Sequence, residues 1–534
     1  MKPICIALFT LLMFSASARA AERPNILFIF SDDHAPHAIG AYNGWLKSVN
    51  PTPNIDKLAA QGMLFENSFC TNSICGPSRA VIMSGKHSHK NGFMNNGNSF
   101  DWEQQIFPKL LQQAGYATAI FGKSHLKGKP QGFDDWTVLP GQGLYYNPDL
   151  LTPQGKKRID GYCTDIVTDL AVDWLKQGRD GDKPFMLMVQ HKAPHRNWMP
   201  AKRHLHLYDD IDIPEPNTLF DKWHDNAPPA RFQELEIDRH MHLNFDLFVD
   251  LYPKFDGDAI KGRYDKSAWR NMQRMSKDQL TAWRDAYGPK DAAFHKADLT
   301  ADGLVRWKFQ RYAKNYLRCI KGVDESVGRL METLKELEID ENTIVIYSSD
   351  QGFFIGDHGW YDKRWMYEES LKMPFIIKWP GTIKPGSRNK THLIQNLDYA
   401  ETFLDIAGAA IPADMQGSSL VPLLKGEKPA DWRKSIYYHY YEYPSVHMVP
   451  RHYGVRTSTY KLMRFYQFDE WEFYDLENDP DELTNQYNNA AYANQIADLK
   501  TELDRLRKHY DDDSDVSVQS KEWQTRMRTI PVTK

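Results

Sequence analysis

The stretch NILFIFSDDH, residues 25–34, decides the fold of this chain. Apolar residues run without interruption from Ile26 to Phe30, and two acids, Asp32 and Asp33, follow almost at once. A continuous apolar run with polar ends predicts a β-strand that is buried on both faces. The carboxyl end of this strand would therefore bring two carboxylates to the edge of a buried sheet.

Three further apolar runs also end in polar side chains that can carry chemistry. In open parallel sheets, ligands bind outside the carboxyl ends of the strands. We therefore expect these polar residues to lie close together at one edge of the sheet. The runs are ATAIFGKSH, ending in Lys123 and His125, PFMLMVQHKAPH, ending in His191 and His195, and TIVIYSSDQG, ending in Asp350 and Gln351.

Helical patterns separate these strands, at residues 55–61, 106–114, 164–177 and 309–337. Strands that alternate with helices are typical of α/β domains with a mostly parallel sheet. We predict an α/β fold with a large domain, whose mostly parallel central sheet is flanked by helices, and a smaller C-terminal antiparallel sheet with a terminal helix.

The character of the sequence changes twice along the chain. Residues 200–301 are polar, aromatic and punctuated by proline, which indicates an insertion with short helices and no clear strand. From residue 425 onward, runs such as SIYYHYY, YGVRTSTYKLMRFY and EWEFYDL favour antiparallel strands. We therefore predict a catalytic domain at 21–424, with the insertion at 200–301, and a C-terminal α+β subdomain at 425–534.

The first 20 residues have the pattern of a signal peptide. Lys2 gives a positive start, residues 4–14 are apolar, and Ala18 and Ala20 form a small-x-small cleavage site. The apolar run is too short to span a bilayer, and no later segment is long enough. We expect cleavage near Ala20–Ala21 and export to the periplasm or the medium.

The composition limits the partners and the cross-links of the chain. The 66 Lys and Arg nearly balance the 70 Asp and Glu, and no polybasic block argues for nucleic acid or an anionic membrane. Cys70, Cys75, Cys163 and Cys319 remain after the leader, too few for a disulfide scaffold in 534 residues. A bridge between Cys70 and Cys75 and two plain buried thiols are both open at this point.

The polar residues at the predicted sheet edge suit a hard metal ion. Asp32, Asp33, Asp350 and Gln351 offer only oxygen atoms, which Ca²⁺ prefers, whereas zinc prefers nitrogen and sulfur. The other candidates are the cations Arg79, Lys123 and Lys363, for an anionic tetrahedral group, and His125 and His195, for proton transfer.

Motifs along most of the chain carry a resemblance to a known family. They are SDDH, CGPSR at 75–79 followed by SGKHSHKNG, FGKSHL, APH, and SDQGFFIGDHGWYDKR. With these motifs the chain resembles the type I formylglycine-dependent sulfatases of the alkaline phosphatase superfamily, from about Pro24 to the C-terminal sheet. The resemblance implies an alkaline-phosphatase-like fold and the hydrolysis of sulfate esters.

The resemblance also implies why a cysteine stands before Gly-Pro-Ser-Arg. A formylglycine-generating enzyme would oxidise Cys75 to formylglycine (3-oxoalanine), whose hydrate carries two hydroxyl groups. One hydroxyl attacks the sulfur, and the second, once deprotonated, expels the sulfate and regenerates the aldehyde. Cys75 is then the precursor of the nucleophile.

Each remaining motif residue receives a role from the same resemblance. The implied ligands of one Ca²⁺ are Asp32, Asp33, Asp350, Gln351 and the formylglycine derived from Cys75. The implied catalytic residues are Arg79, which reaches the hydrate and the carboxylates, Lys123 and Lys363, which hold sulfate oxygens, His125, which assists the second hydroxyl, and His195, which protonates the leaving alcohol.

Two positions depart from the family pattern. Gln351 stands where the fourth metal ligand is often Asn, so the amide oxygen lies one methylene further out. Ser124 stands between Lys123 and His125, where many relatives carry Trp. Whether the amide oxygen of Gln351 can reach the metal depends on how the side chain is placed in the fold.

Candidate substrate contacts come from residues that can stack on sugars or pair with anions. The alternative is that the same residues pack within the fold, and the sequence leaves both open. The candidates are His37, His191, Arg364, His447, Arg451 and His452, with Arg196 and Trp198 as a further subsite.

The predicted function is that of an exported sulfatase acting on sulfate esters of a carbohydrate, a polysaccharide or a glycan oligosaccharide. The region from Ser349 to Pro380 resembles enzymes for N-acetylglucosamine-6-sulfate, and related enzymes act on algal polysaccharides such as ulvan. One alternative is a phosphonate monoester or phosphodiester hydrolase of the same superfamily. Another is a glycan-binding protein in which Cys75 stays a thiol.

Overall fold

A ten-stranded sheet forms the centre of the structure, a computed structural model that describes residues 23–49, 52–223, 225–250 and 263–514. The predicted signal peptide lies outside the described residues. The strands of this sheet and of three smaller sheets are, in chain order, β1 (Asn25–Ser31), β2 (Met63–Phe65), β3 (Ser68–Phe69), β4 (Ala117–Gly122), β5 (Asp135–Val138), β6 (Asp149–Thr152), β7 (Gly155–Arg158), β8 (Phe185–Gln190), β9 (Thr343–Ser349), β10 (Phe354–Ile355), β11 (Tyr361–Asp362), β12 (Phe375–Lys378), β13 (Ser387–Asn389), β14 (Ile394–Gln395), β15 (Ser435–Tyr440), β16 (His452–Thr457), β17 (Tyr460–Phe465) and β18 (Glu470–Asp475).

Helices connect these strands and cover the sheet. They are α1 (Pro53–Gln61), α2 (Cys75–Ser84), α3 (Ser88–Asn91), α4 (Phe107–Gln113), α5 (Cys163–Asp173), α6 (Arg263–Gln273), α7 (Lys277–Ala297), α8 (Ala301–Glu336), α9 (Glu368–Leu371), α10 (Tyr399–Ile406), α11 (Val421–Leu424) and α12 (Ala493–His509).

The central sheet has the order β13-β2-β12-β9-β1-β8-β4-β5-β6-β7. Strand β1 lies between β9 and β8, and both pairings are parallel, as are β4 with β8 and β4 with β5. The outer strand β12 is antiparallel to β9. The predicted mostly parallel sheet is confirmed, and its four central strands end at the same edge.

Alternate side chains of β1 enter two separate cores. Leu27 and Ile29 face the side covered by α1, α5 and α8. Ile26, Phe28 and Phe30 face the side covered by α2, α4 and α10. Because consecutive residues of a strand point to opposite faces, an uninterrupted apolar run is what a sheet covered on both sides needs.

Helix α8 provides the longest cover of the sheet. It begins at Ala301, earlier than the predicted start at 309, and its 36 residues include the predicted apolar stripe. Ile320, Val323, Val327 and Leu330 are fully buried in the first core. Their spacing of three and four residues puts them on one helix face, which packs against the sheet.

In its described residues, the predicted insertion contains two α-helices, α6 and α7, among irregular segments. No strand occurs in the described residues of 200–301. Helix α7 is longer than the short helices that we expected, with 21 residues. It begins with a capping box, in which Ser276 accepts from the backbone N–H of Gln279 and the Gln279 side chain accepts from that of Ser276.

The C-terminal part forms the predicted antiparallel sheet with its terminal helix. Strands β15 to β18 pair in chain order, and α12 covers the sheet with Ile496, Leu499, Leu503 and Leu506. The run at residues 453–466 gives the two strands β16 and β17, joined by a tight turn.

The cysteine question is settled by the side-chain positions. Cys70, Cys75, Cys163 and Cys319 are all buried free thiols, so the possible bridge between Cys70 and Cys75 is absent. Among the described residues, no helix is both long and apolar enough to cross a membrane.

Shortening one residue of the apolar stripe on α8 tests its contribution to stability. Leu330→Ala is expected to lower the free energy of unfolding by about 2–5 kcal/mol, because it leaves a cavity against the sheet. Chemical denaturation measures the change. Glu332→Ala, on the exposed side of the same helix, is the control and should change stability by less than about 0.5 kcal/mol. Equal effects of both changes would contradict this account of the core.

Candidate active site

Three carboxylates meet where the central strands end. Asp32 and Asp33 follow β1, and Asp350 follows the neighbouring strand β9. One oxygen of each lies within 4.8 Å of the others, and all three side chains are fully buried. Because buried like charges repel strongly, this arrangement requires cations close by.

Protein cations supply part of that compensation. Arg79 Nη2 lies 3.0 Å from Asp350 Oδ2 and 3.6 Å from Asp32 Oδ2. Lys363 Nζ lies 2.7 Å from both oxygens of Asp33. Lys123 Nζ contacts Asp32. The three predicted cations and the three predicted carboxylates thus form one buried cluster.

Cys75 lies at the first position of α2, beside this cluster. The sulfur of Cys75, a carboxylate oxygen of Asp32 and a ring nitrogen of His195 all lie within 4.8 Å of one another. Burial raises the pKa of the Cys75 thiol to about 11, although Lys363 favours the thiolate. The unmodified side chain is therefore a protonated thiol and a weak nucleophile.

The helix that begins with Cys75 also orients Arg79. Arg79 stands four positions after Cys75, about one helical turn, so both side chains lie on the same face of α2. The N-terminal end of a helix carries a partial positive charge. An anionic substrate group bound at Cys75 would be stabilised by this charge.

The oxygen atoms of the cluster fit a calcium ion. Asp32 Oδ1 and Gln351 Oε1 are buried and have no hydrogen-bond donor among the described residues. The Gln351 amide nitrogen donates to Asp33, so the oxygen is the end left available for a metal. Burial raises the pKa of Asp33 to about 7, against the opposing effect of Lys363. A bound divalent cation would favour the ionised carboxylate of Asp33 and so lower this pKa again.

The two predicted acid–base histidines flank the cluster. His195 Nε2 lies 3.8 Å from Asp33 Oδ2, and Nδ1 is 2.5 Å from the carbonyl oxygen of Arg196. His125 lies three residues after the end of β4 with φ 54°, and its buried Nδ1 lacks a hydrogen-bond partner among the described residues. Burial, and next Lys123, hold the pKa of both imidazoles well below the usual value, so both are neutral.

A cavity of about 540 Å³ opens above Cys75, His195 and Lys363. Three parts of the chain form its walls: the catalytic core, the insertion and a loop of the C-terminal part. The insertion contributes Phe245, Tyr264, Ser267 and Asn271, and the C-terminal loop contributes Glu442, Ser445, Val446 and His447.

Two of the predicted substrate residues line this cavity. Arg364 Nη1 donates to Glu442 Oε2 at 2.6 Å, and His447 Nε2 lies 3.3 Å from Asp362 Oδ2. Asp362 lines the cavity as well, and we did not predict it. Its place beside Lys363 in the YDKR motif was the signal that could have identified it.

The other four predicted substrate residues lie outside the cavity lining. His191 is buried, with Nε2 3.0 Å from Ser326 Oγ, and His452 is buried between the backbone groups of Met366 and Pro450. Both side chains are bonded within the protein and neither lines the cavity, which is the packing alternative that the sequence left open.

His37 stacks on Trp45 and borders a separate cavity, and Arg451 is half-buried and does not line the cavity above Cys75. Only one of the two residues of the further predicted subsite, Arg196 and Trp198, lines the cavity. Arg196 lines the cavity, whereas Trp198 is fully buried in the first core. Packing of the surrounding segments, which the sequence pattern does not encode locally, decides which of these side chains reach the cavity.

Several residues of the cavity were missed in the sequence. Lys192 and Tyr145 lie in its lining, as do Tyr264 and Asn271 of α6. Lys192 stands within the strand-end segment PFMLMVQHKAPH, so its position was a usable signal. The residues of α6 had none, because only tertiary packing brings the insertion to the catalytic core.

Comparisons with known proteins agree with this geometry. The family model "Sulfatase" matches residues 24–409, and the model "N-sulphoglucosamine sulphohydrolase, C-terminal" matches residues 356–509. The chain is 46% identical over 498 residues to an N-acetylglucosamine-6-O-sulfatase of Bacteroides thetaiotaomicron, covering 92% of this chain and 87% of that protein.

Solved structures show the same fold. The structure of BT4656 in complex with its substrate D-glucosamine-2-N,6-O-disulfate matches with TM-score 0.88 and 45% identity, over 92% of this chain and 99% of that one. The phosphonate monoester hydrolase of Agrobacterium radiobacter shares the fold at TM-score 0.62 and 20% identity, over 91% and 96%. On the family match, the sequence identity and the site, this chain belongs to the sulfatase family and is a sulfuric ester hydrolase.

Proposed function

We propose that this enzyme hydrolyses the 6-O-sulfate ester of glucosamine units in sulfated glycans. The observation that carries the proposal is the meeting of Cys75, Asp32 and His195 at the floor of a cavity, in a chain so similar to an N-acetylglucosamine-6-O-sulfatase. The cavity offers cations for the sulfate, and aromatic and polar side chains for a sugar ring.

The proposal includes a formylglycine at position 75 and one Ca²⁺. Asp32, Asp33, Asp350 and Gln351 would hold the ion, together with the modified residue 75. When present, the ion and the hydrated formylglycine supply a polarised hydroxyl nucleophile for the sulfur. The unpartnered oxygens of Asp32 and Gln351 and the protonated state of the Cys75 thiol support this part.

The lysines of the cluster would bind the sulfate group itself. Lys123 contacts Asp32 and Gln142, and Lys363 contacts both oxygens of Asp33, so each ammonium keeps one further N–H for a sulfate oxygen. Charge that gathers on these oxygens in the transition state is stabilised by fixed cations in a site shielded from water. The N-terminal end of α2 acts in the same direction.

His195 would protonate the oxygen of the departing sugar. Burial and then the neighbouring lysines disfavour its protonated form, but a bound sulfate ester adds negative charge close to the ring and raises the pKa of the imidazole. Proton transfer matters here because a sugar alkoxide is a poor leaving group. Neutral His125 would accept the proton of the second hydroxyl.

The proposal also covers export and maturation. Residues 1–20 would direct the chain out of the cytoplasm, to the periplasm or the medium. A formylglycine-generating enzyme would act on the segment around residues 75–79, which lies buried at the start of α2 in the folded protein. Since burial hides Cys75, we expect this modification before folding is complete.

Removing the thiol tests the nucleophile. Cys75→Ala should lower sulfate release by more than about 10³-fold, because no hydroxyl nucleophile can form at that position. Ion chromatography of released sulfate measures the rate, and mass spectrometry of the peptide that contains residue 75 shows whether formylglycine is present in the parent protein. The melting temperature should stay close to that of the parent. Near-normal turnover by the variant would reject this nucleophile.

Removing one carboxylate tests the metal. Asp32→Asn should weaken Ca²⁺ binding by at least about 10-fold, because it removes both a charge and a ligand oxygen from a fixed set. Titration calorimetry on the metal-free protein measures the affinity. Asp511→Asn, an exposed acid paired with Lys90, is the control and should bind Ca²⁺ normally. Unchanged affinity in Asp32→Asn would place the ion elsewhere.

A panel of substrates tests the sugar. We expect kcat/KM for N-acetylglucosamine-6-O-sulfate to exceed that for sulfated oligosaccharides of ulvan or carrageenan by at least about 100-fold, because a site built for one sugar rejects others through unpaired polar groups. Sulfate release from matured protein is the readout. A preference for the algal set would contradict the glucosamine proposal. Faster hydrolysis of a phosphonate monoester or a phosphodiester would favour the other activity found on this fold.

A further inference from the structure

One cation of the cavity, Lys192, differs from the others. Its side chain is only 4% exposed and lines the cavity beside His195. Nζ lies 3.4 Å from the carbonyl oxygen of Arg196 and 4.7 Å from the centre of the Tyr145 ring. No carboxylate of the described residues forms an ion pair with Lys192.

The remaining cations that line the cavity are paired with carboxylates of the protein. Three such pairs have nitrogen–oxygen distances of 2.7 Å or less. They are Lys363 with Asp33 at 2.7 Å, Arg196 with Asp246 at 2.6 Å, and Arg364 with Glu442 at 2.6 Å. Lys192 is therefore the cation with the most unused capacity for an anion.

An unpaired buried ammonium destabilises the folded protein. Burial lowers the pKa of Lys192 to about 8, which reflects that penalty. The Tyr145 ring and one carbonyl oxygen compensate only partly, since neither carries a full negative charge. An anion of the ligand, bound beside Nζ, would complete the site.

We propose that Lys192 binds a second anionic substituent of the sugar, the N-sulfate of a glucosamine that also carries the scissile 6-O-sulfate. This inference rests on the proposed function, because the sugar must be a glucosamine. BT4656 was solved with a glucosamine that bears both groups. Lys192 then acts as a specificity residue that favours N-sulfated over N-acetylated units.

The experiment compares two substrates in matured protein. Kinetics are measured on glucosamine-2-N,6-O-disulfate and on N-acetylglucosamine-6-O-sulfate. In Lys192→Met, the ratio of kcat/KM for the first substrate to that for the second should fall by about 10-fold, the effect of one charge-assisted contact. Lys192→Arg should keep most of the ratio, because the positive charge stays.

A matched control and a stability measurement separate recognition from structure. Lys176→Met removes an exposed lysine paired with Glu336, and it should leave the ratio unchanged. Lys192→Met should not lower the melting temperature, because the deleted charge lacks a carboxylate partner in the free protein. A lower melting temperature with an unchanged ratio would assign Lys192 to structure and overturn the proposal.

The remaining outcomes are also decisive. Equal losses on both substrates would show that Lys192 serves the shared part of the reaction, and would reject the role in specificity. If the parent enzyme released no sulfate from either glucosamine, the proposed function itself would fail. In that case glucosamine-2-N-sulfate is titrated into the parent and into Lys192→Met, and equal affinity of the two proteins would reject the anion site as well.

Discussion

The compensation of three buried carboxylates is the constraint on which the rest of this structure depends. Asp32, Asp33 and Asp350 can ionise together inside the protein only if cations lie against them. Arg79 reaches them from α2, Lys123 from the end of β4, and Lys363 from the end of β11. The parallel sheet is what brings these segments to one edge, so the fold and the charge balance support each other.

The backbone around the cluster is held in unusual conformations. Positive φ values at non-glycine residues are uncommon and cost roughly 1–3 kcal/mol where side chains strain the backbone, although Asp tolerates them better. The residues of the site with this conformation are Asp33 (67°), His125 (54°), Asp362 (76°), Arg364 (95°) and His447 (69°). Such a concentration shows that the surrounding packing fixes where these side chains lie.

Two of the three parts of the chain that form the cavity walls contribute no residue to the cluster. The insertion supplies Phe245 and Tyr264, and the C-terminal loop supplies Glu442 and His447. The strand ends hold the reacting groups, whereas the insertion and the C-terminal loop shape the space above them. Substrate preference can therefore change without disturbing the charge balance of the buried cluster.

The sequence by itself determined the parallel sheet, its order of strands and helices along the chain, and the residues of the cluster. The strand-end residues are local features, because an apolar run shows burial and the residues after it show what the strand end carries. Arg79 and Lys363 were identified instead from the motifs CGPSR and YDKR. Only the tertiary structure decided which side chains line the cavity, since His191 and His452 lie outside its lining while Tyr264 and Lys192 are part of it. That choice depends on how distant segments pack together, which no local pattern records.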